Sequence, residues 1–201
     1  MKIRFIKENK ILLSTTTAML VAIGVLMPQI LHAIPNAATL LSPMHIPVLL
    51  CGLICGGLMG AICGLLTPTM SFLIFGMPPF PNALVPMVFE LVAYGLFSGI
   101  FMEIFTQIDK TKKINYLLAL VCAMTLGRIV FVIARVILLS LITPDITFVA
   151  ILVASLTSAF INTWLGILIQ LILVPAILLA LSKGHILEKY DCHFAPKEKQ
   201  S

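Results

Sequence analysis

Residues Met44–Pro81 read MHIPVLLCGLICGGLMGAICGLLTPTMSFLIFGMPPFP. The stretch holds no Asp, Glu, Lys or Arg, and His45 is its one residue that can take a positive charge. It is rich in glycine and is cut by Pro47, Pro68, Pro78, Pro79 and Pro81. It is too long for one membrane span, which needs about 20 apolar residues, and too broken to be a single helix. Whether it crosses an odd or an even number of times decides the side of everything after it.

The rest of the chain makes the membrane reading unavoidable. Of 201 residues, 60% are hydrophobic and 10% charged, with mean hydropathy +1.13. A soluble domain carries about 25% charged residues. Five or six spans use most of the chain, so the expected organisation is one membrane domain at 11–182, between a basic segment at 1–10 and a basic tail at 183–201. The net charge of +5 belongs to membrane flanks and is no sign of nucleic-acid binding. The five cysteines (51, 55, 63, 122 and 192) lie mostly in apolar runs without His or acidic neighbours, and read as packing residues, not metal ligands. The first apolar run has no small-residue cleavage site and is long enough to span, so it reads as a retained helix.

Hydropathy places spans at 11–31, 83–106, 116–141 and 150–182 around the opening stretch. Eleven of the thirteen Lys and Arg residues lie in segments 1–10, 107–115 and 183–201. None lies in 32–45, 76–82 or 142–149. The positive-inside rule then puts both termini and the 107–115 loop in the cytoplasm. Residues 46–75 must therefore cross an even number of times. The expectation is two short helices, about 46–64 and 68–76, hinged at Thr67–Pro68, where proline lacks an amide donor and disfavours helix at the preceding residue. The expected fold is an all-α bundle of six transmembrane helices with both ends inside.

Ionisable residues inside a span are costly and face a cavity or a partner. Glu90, Arg128 and Arg135 are the three. Arg128 and Arg135 are two helical turns apart and share a face. Counted from the outer boundary at helical rise, Glu90 lies about 10 Å deep and Arg135 about 9 Å, so these two are at similar depth and could pair. Arg128 would sit deeper without an acid. It is then either an anchor for an anionic ligand group such as a carboxylate, or a staple bonded to backbone carbonyls. Tyr94 lies one turn from Glu90. Asn162, Gly166 and Gln170 form a polar stripe suited to a ligand or to interhelical hydrogen bonds. His45 sits at the mouth of the second helix, and Phe80 and Trp164 offer apolar walls. Ala18 and Ala22 make a small-xxx-small pair that lets another helix approach closely or simply packs within the bundle.

The sequence contains no phosphate-binding G-x-x-x-x-G-K-[ST] loop, no H-E-x-x-H and no G-x-S-x-G, so neither ATP hydrolysis nor another enzyme activity is expected, and no cofactor. Internal paired halves of the secondary-transporter kind are also missing.

The Ala18/Ala22 pair, the run Ser42–Gly52 (SPMHIPVLLCG), the turn Phe75–Pro81, Glu90–Gly95 (ELVAYG) and Gly127-Arg128-Ile129-Val130 resemble the S-component of an energy-coupling-factor (ECF) vitamin transporter, on the pantothenate-type branch. The resemblance covers about residues 11–182. It implies a substrate-binding subunit of the bacterial cytoplasmic membrane that works with a membrane T-component and two cytoplasmic ATPases. It implies that Ala18 and Ala22 contact the T-component. It also implies an outer-half pocket with Glu90, Tyr94, Arg128, Arg135 and Asn162, capped by His45, Phe80 and Asn82. Alternatives are an S-component for another small molecule such as riboflavin, a structural membrane subunit, or a stand-alone carrier.

Overall fold

The computed structural model describes residues 10–31, 41–108, 114–143, 147–161 and 163–183. The elements are α1 (Lys10–Leu31), α2 (His45–Cys55), α3 (Gly57–Phe75), α4 (Leu84–Ile108), α5 (Ile114–Ile142), α6 (Phe148–Leu156), a π-helical turn (Thr157–Ile161) and α7 (Trp164–Lys183). The described residues contain no strand. Five helices (α1, α3, α4, α5 and α7) are long and apolar enough to cross a membrane, while α2 and the α6–π segment are shorter apolar helices. Hydrogen bonds run through the junction before α7: Thr163 Oγ1 donates to the Ala159 carbonyl at 2.8 Å, and the Ile167 amide to the Thr163 carbonyl at 3.0 Å. With the short α6–π segment counted together with α7, the helices among the described residues number the expected six.

The break in the opening stretch is not where the prolines suggested. It falls at Gly56, whose φ of 91° and ψ of 166° lie in a region open almost only to glycine. Pro68 lies inside α3. One turn of that helix is shored up by the Thr67 hydroxyl, which donates to the Cys63 carbonyl at 2.8 Å; side-chain bonds of this kind make proline tolerable in membrane helices. The third helix is consequently no half-span. Its 19 residues reach about 28 Å at 1.5 Å per residue. Of these two, only the second helix is short, at 11 residues.

Helix α2 is buried along its whole length, packed among α1, α3, α4 and α7. A helix covered on every side needs no polar face, which is why residues 45–55 show no amphipathic pattern. Glycines permit the tightest contacts around it. A Cβ on Gly60 would fall onto the Gly95 backbone, one on Gly95 onto Gly60, and one on Gly64 onto the Leu91 carbonyl. Helices α3 and α4 thus meet backbone to backbone, the approach that small residues allow. The α4–α5 packing is as extensive, and Gly127 is its register mark: a Cβ there would enter the Tyr94 ring.

Candidate functional site

Four helices and one turn bring their polar residues to a single buried place. Helix α4 contributes Glu90 and, one turn on, Tyr94. Helix α5 contributes Arg128, because Gly127 lets the Tyr94 ring lie against α5 and so levels Arg128 with Glu90. Helix α2 begins with His45. The turn before it places Ser42 at φ 44°, and its carbonyl is the acceptor for groups from α2 and α7.

Arg128 Nη1 lies 2.9 Å from Glu90 Oε1, with both side chains almost fully buried. The contact is an ion pair lacking hydrogen-bond alignment, since Oε1 has no hydrogen-bonded partner. His45 Nε2 stands 3.5 Å from Glu90 Oε2, and His45 Nδ1 stands 3.1 Å from the Ser42 carbonyl oxygen. The His45 and Tyr94 rings meet edge to face at 5.2 Å. The Arg128 guanidinium carbon is 6.0 Å from the centre of the Tyr94 ring, at the limit of a cation–π contact. From α7, Gln170 Nε2 donates to the Ser42 carbonyl at 3.4 Å. Around this core several buried polar atoms have no hydrogen-bond partner: Arg128 Nε and Nη2, Tyr94 Oη, His45 Nε2 and Gln170 Oε1. Each such atom costs about 1–3 kcal/mol, so their convergence marks a site built to receive something.

The expected pairing of Glu90 with Arg135 is overturned. Glu90 is held by Arg128 and His45. Arg135 donates from Nη1 to Ser158 Oγ at 2.6 Å and lies over the Phe131 ring at 5.7 Å. The depth count assumed that the outer ends of α4 and α5 are level; the Tyr94–Gly127 contact sets a different register. His45, expected at the mouth of the second helix, is 3% exposed, and Ser42 and Met44 beside it are buried too. Phe80 is exposed and its ring packs on Phe72 at 6.1 Å. Asn82 is exposed in the same turn. Asn162 lies outside the described residues. Trp164 is exposed and belongs to the outer surface. Ala18 and Ala22 face outward on α1, while Leu13, Thr17 and Val25 of that helix are buried.

One member escapes the sequence reading: Ser42 acts through its carbonyl, which no residue type announces. Gln170, part of the polar stripe read from the sequence, is fully buried in an Ile/Leu-rich helix and reaches the Ser42 carbonyl.

A separate groove of about 340 Å³ runs between α4 and α5, lined by Val85, Phe89, Val130, Ile133, Ala134 and Ile137 among others. Phe89 lies in the groove and is half exposed, while Glu90, next in the chain, is buried on another face. The groove has no chargeable lining and belongs to the lipid-facing surface. On the other side, Cys51, Cys55 and Cys63 are free and fully buried thiols, with Cys51 Sγ 3.6 Å from Thr17 Oγ1.

Residues 12–178 match the family described as ECF transporter, substrate-specific component. No curated protein and no solved structure matches the chain.

Proposed function

Since the chain belongs to the substrate-specific components of ECF transporters, multi-pass subunits of the cell membrane that bind a substrate and are not an enzyme family, we propose that it captures a vitamin, pantothenate first. Uptake is then driven by ATP through a membrane T-component and two cytoplasmic ATPases. One observation carries the location of the site: Arg128, Tyr94 and Gln170 hold unpartnered polar atoms in one fully buried place. Arg128 keeps two free donor nitrogens beyond its ion pair with Glu90, and a planar guanidinium fork suits a carboxylate. Arg135 extends the site toward its mouth, the exposed turn with Phe80 and Asn82 supplies the cap, and Asn162 is a further candidate contact on its sequence position alone. The basic segments at both ends and at 107–115 face the cytoplasm. The outward face of α1 at Ala18 and Ala22 meets the T-component, its small side chains permitting close approach.

Mass spectrometry of ligand co-purified with the protein tests the reading directly. With pantothenate as the probe, Arg128→Ala weakens binding by 10- to 100-fold or more, at about 1.4 kcal/mol per tenfold. Unchanged affinity in that variant would remove Arg128 from the site. A structural subunit is the second reading, because the Glu90–Arg128 pair by itself would staple α4 to α5. That reading predicts no thermal stabilisation by any vitamin, and the binding reading predicts a clear upward shift.

A further inference from the structure

Helix α7 packs on α2 and α5. Its buried edge repeats every four residues: Gln170, Val174 and Leu178 are all fully buried, as the helical turn allows for positions on one face. Val174 and Leu178 belong to the apolar core, and Gln170 puts an amide on the same edge. Packing alone would be served by a leucine or methionine, since an amide taken out of water costs free energy unless it is hydrogen-bonded. Half of this amide is accounted for. Its Nε2 donates to the Ser42 carbonyl at 3.4 Å. A carbonyl oxygen can only accept, so this contact assigns which end of the amide is the nitrogen. Oε1 is the other end, a buried acceptor with no hydrogen bond.

This acceptor is joined to the donors of the cluster through a short run of contacts. The Ser42 carbonyl that takes Gln170 also has His45 Nδ1 at 3.1 Å. The His45 ring meets Tyr94 edge to face, and the Arg128 guanidinium carbon is 6.0 Å from the centre of the Tyr94 ring. Gln170 thus stands at one end of the run and Arg128, with its free Nε and Nη2, at the other. Glu90 Oε1 and His45 Nε2 also lack hydrogen bonds, but Glu90 Oε1 has the Arg128 guanidinium at 2.9 Å and His45 Nε2 has the Glu90 carboxylate at 3.5 Å. The site therefore ends in donors on α5 and in an acceptor on α7. A ligand that satisfies both ends has an acidic group for the first and an N–H or O–H for the second.

We propose that Gln170 determines specificity at this site: its Oε1 accepts a hydrogen bond from an N–H or O–H of the ligand, whose carboxylate is held by Arg128. The inference rests on the substrate-binding reading above and adds the ligand class, a small carboxylic acid that also carries an amide or hydroxyl donor. Selection works through what is left unpaired. A carboxylate without the donor would enter and leave Oε1 buried and unsatisfied. A site built to bond a donor rejects analogues lacking it far more strongly than an apolar pocket rejects a missing methylene. Pantothenate fits the class, with one carboxylate, one amide N–H and two hydroxyls.

The test is a binding series on the full chain in detergent, with pantothenate and three analogues that keep its carboxylate and each lack one donor: an ester in place of the amide, and the deoxy form at either hydroxyl. In the wild type at least one analogue should bind about 10- to 100-fold more weakly than pantothenate. Gln170→Met keeps the volume without the acceptor and leaves His45 on the Ser42 carbonyl. In that variant the same analogue should come within about threefold of pantothenate. A merely structural Gln170 would lower stability and weaken all four ligands alike. An unchanged analogue ratio in Gln170→Met would therefore overturn the proposal while leaving the substrate-binding reading intact. So would a wild type that loses less than about tenfold on every analogue, a result that counts even if Gln170→Met does not fold. Capture of a vitamin without a carboxylate, such as riboflavin, with pantothenate refused would overturn it too, again leaving an S-component. Refusal of every vitamin would overturn both.

Discussion

Arg128 and Arg135 stand two turns apart on one face of α5, both cations within a predicted span. Their surroundings differ completely. Arg128 is 4% exposed and has a carboxylate at 2.9 Å, an aromatic face beside it and two nitrogens still unpartnered. Arg135 is half-buried and has one hydroxyl, that of Ser158, and the Phe131 ring. The first is surrounded by protein on α2, α4 and α7, the second by the π-helical turn that follows α6. A cation that deep needs its own counter-charge, whereas one nearer the surface is served by a neutral donor-acceptor contact and by solvent or lipid headgroups. Membership of the same helical face therefore says little about function. What matters is which neighbouring helix supplies the acid.

If that contrast is right, removing the acid should hurt far more than removing the outer cation. Glu90→Gln preserves the volume but leaves Arg128 buried with no anion. Breaking a buried pair from one side costs about 3–5 kcal/mol, the largest effect expected in this molecule. Thermal unfolding in detergent should show a collapse of stability. A small shift would mean that water or lipid reaches the cluster and that the site is not closed. The double change Glu90→Gln with Arg128→Met should recover much of the loss, since replacing both charged partners is often nearly neutral.

Much of this arrangement was legible before any coordinates. Charge counting and hydropathy gave an all-α membrane chain, and Glu90, Tyr94 and Arg128 were singled out because polar groups inside spans are rarely idle. Position along a helix, however, does not give register between helices. The Glu90–Arg135 pairing failed for that reason: the register is set by Tyr94 fitting against Gly127, a contact between residues 33 apart in the sequence that no periodicity encodes. The hinge was missed for a related reason. Proline is the louder signal, but Pro68 is absorbed into α3, and the break comes at Gly56, one of several glycines in the stretch. Which of those glycines takes a positive φ, and which merely lets backbones touch, depends on neighbours the sequence does not name. His45 reads from the sequence only as the start of α2; its burial together with Ser42 and Met44 depends on packing that position along the chain does not give.

The register itself can be attacked. Gly127→Ala puts a methyl group into the Tyr94 ring, and overpacking of this kind costs about 1–3 kcal/mol. The effect should be smaller than that of Glu90→Gln in stability but should reach binding as well, because displacing Tyr94 or sliding α5 moves Arg128 away from Glu90. Loss of stability with unchanged ligand affinity would show that the cluster tolerates a shift and that its geometry is not what selects the ligand. Arg135→Ala is the control at the other end of the scale. It gives up one hydrogen bond to Ser158 and the packing on Phe131, a net loss of about 1 kcal/mol. Ser158 retains a hydroxyl that can turn to a helix carbonyl, so no buried charge is stranded. If affinity for the ligand then falls as far as it does in Arg128→Ala, the two arginines act as one clamp, and the distinction between a deep site and its outer neighbour has to be abandoned. If affinity changes by less than about threefold, roughly 0.7 kcal/mol, Arg135 serves the mouth of the site or the bundle, and selection of the ligand lies with the helices that meet at Glu90.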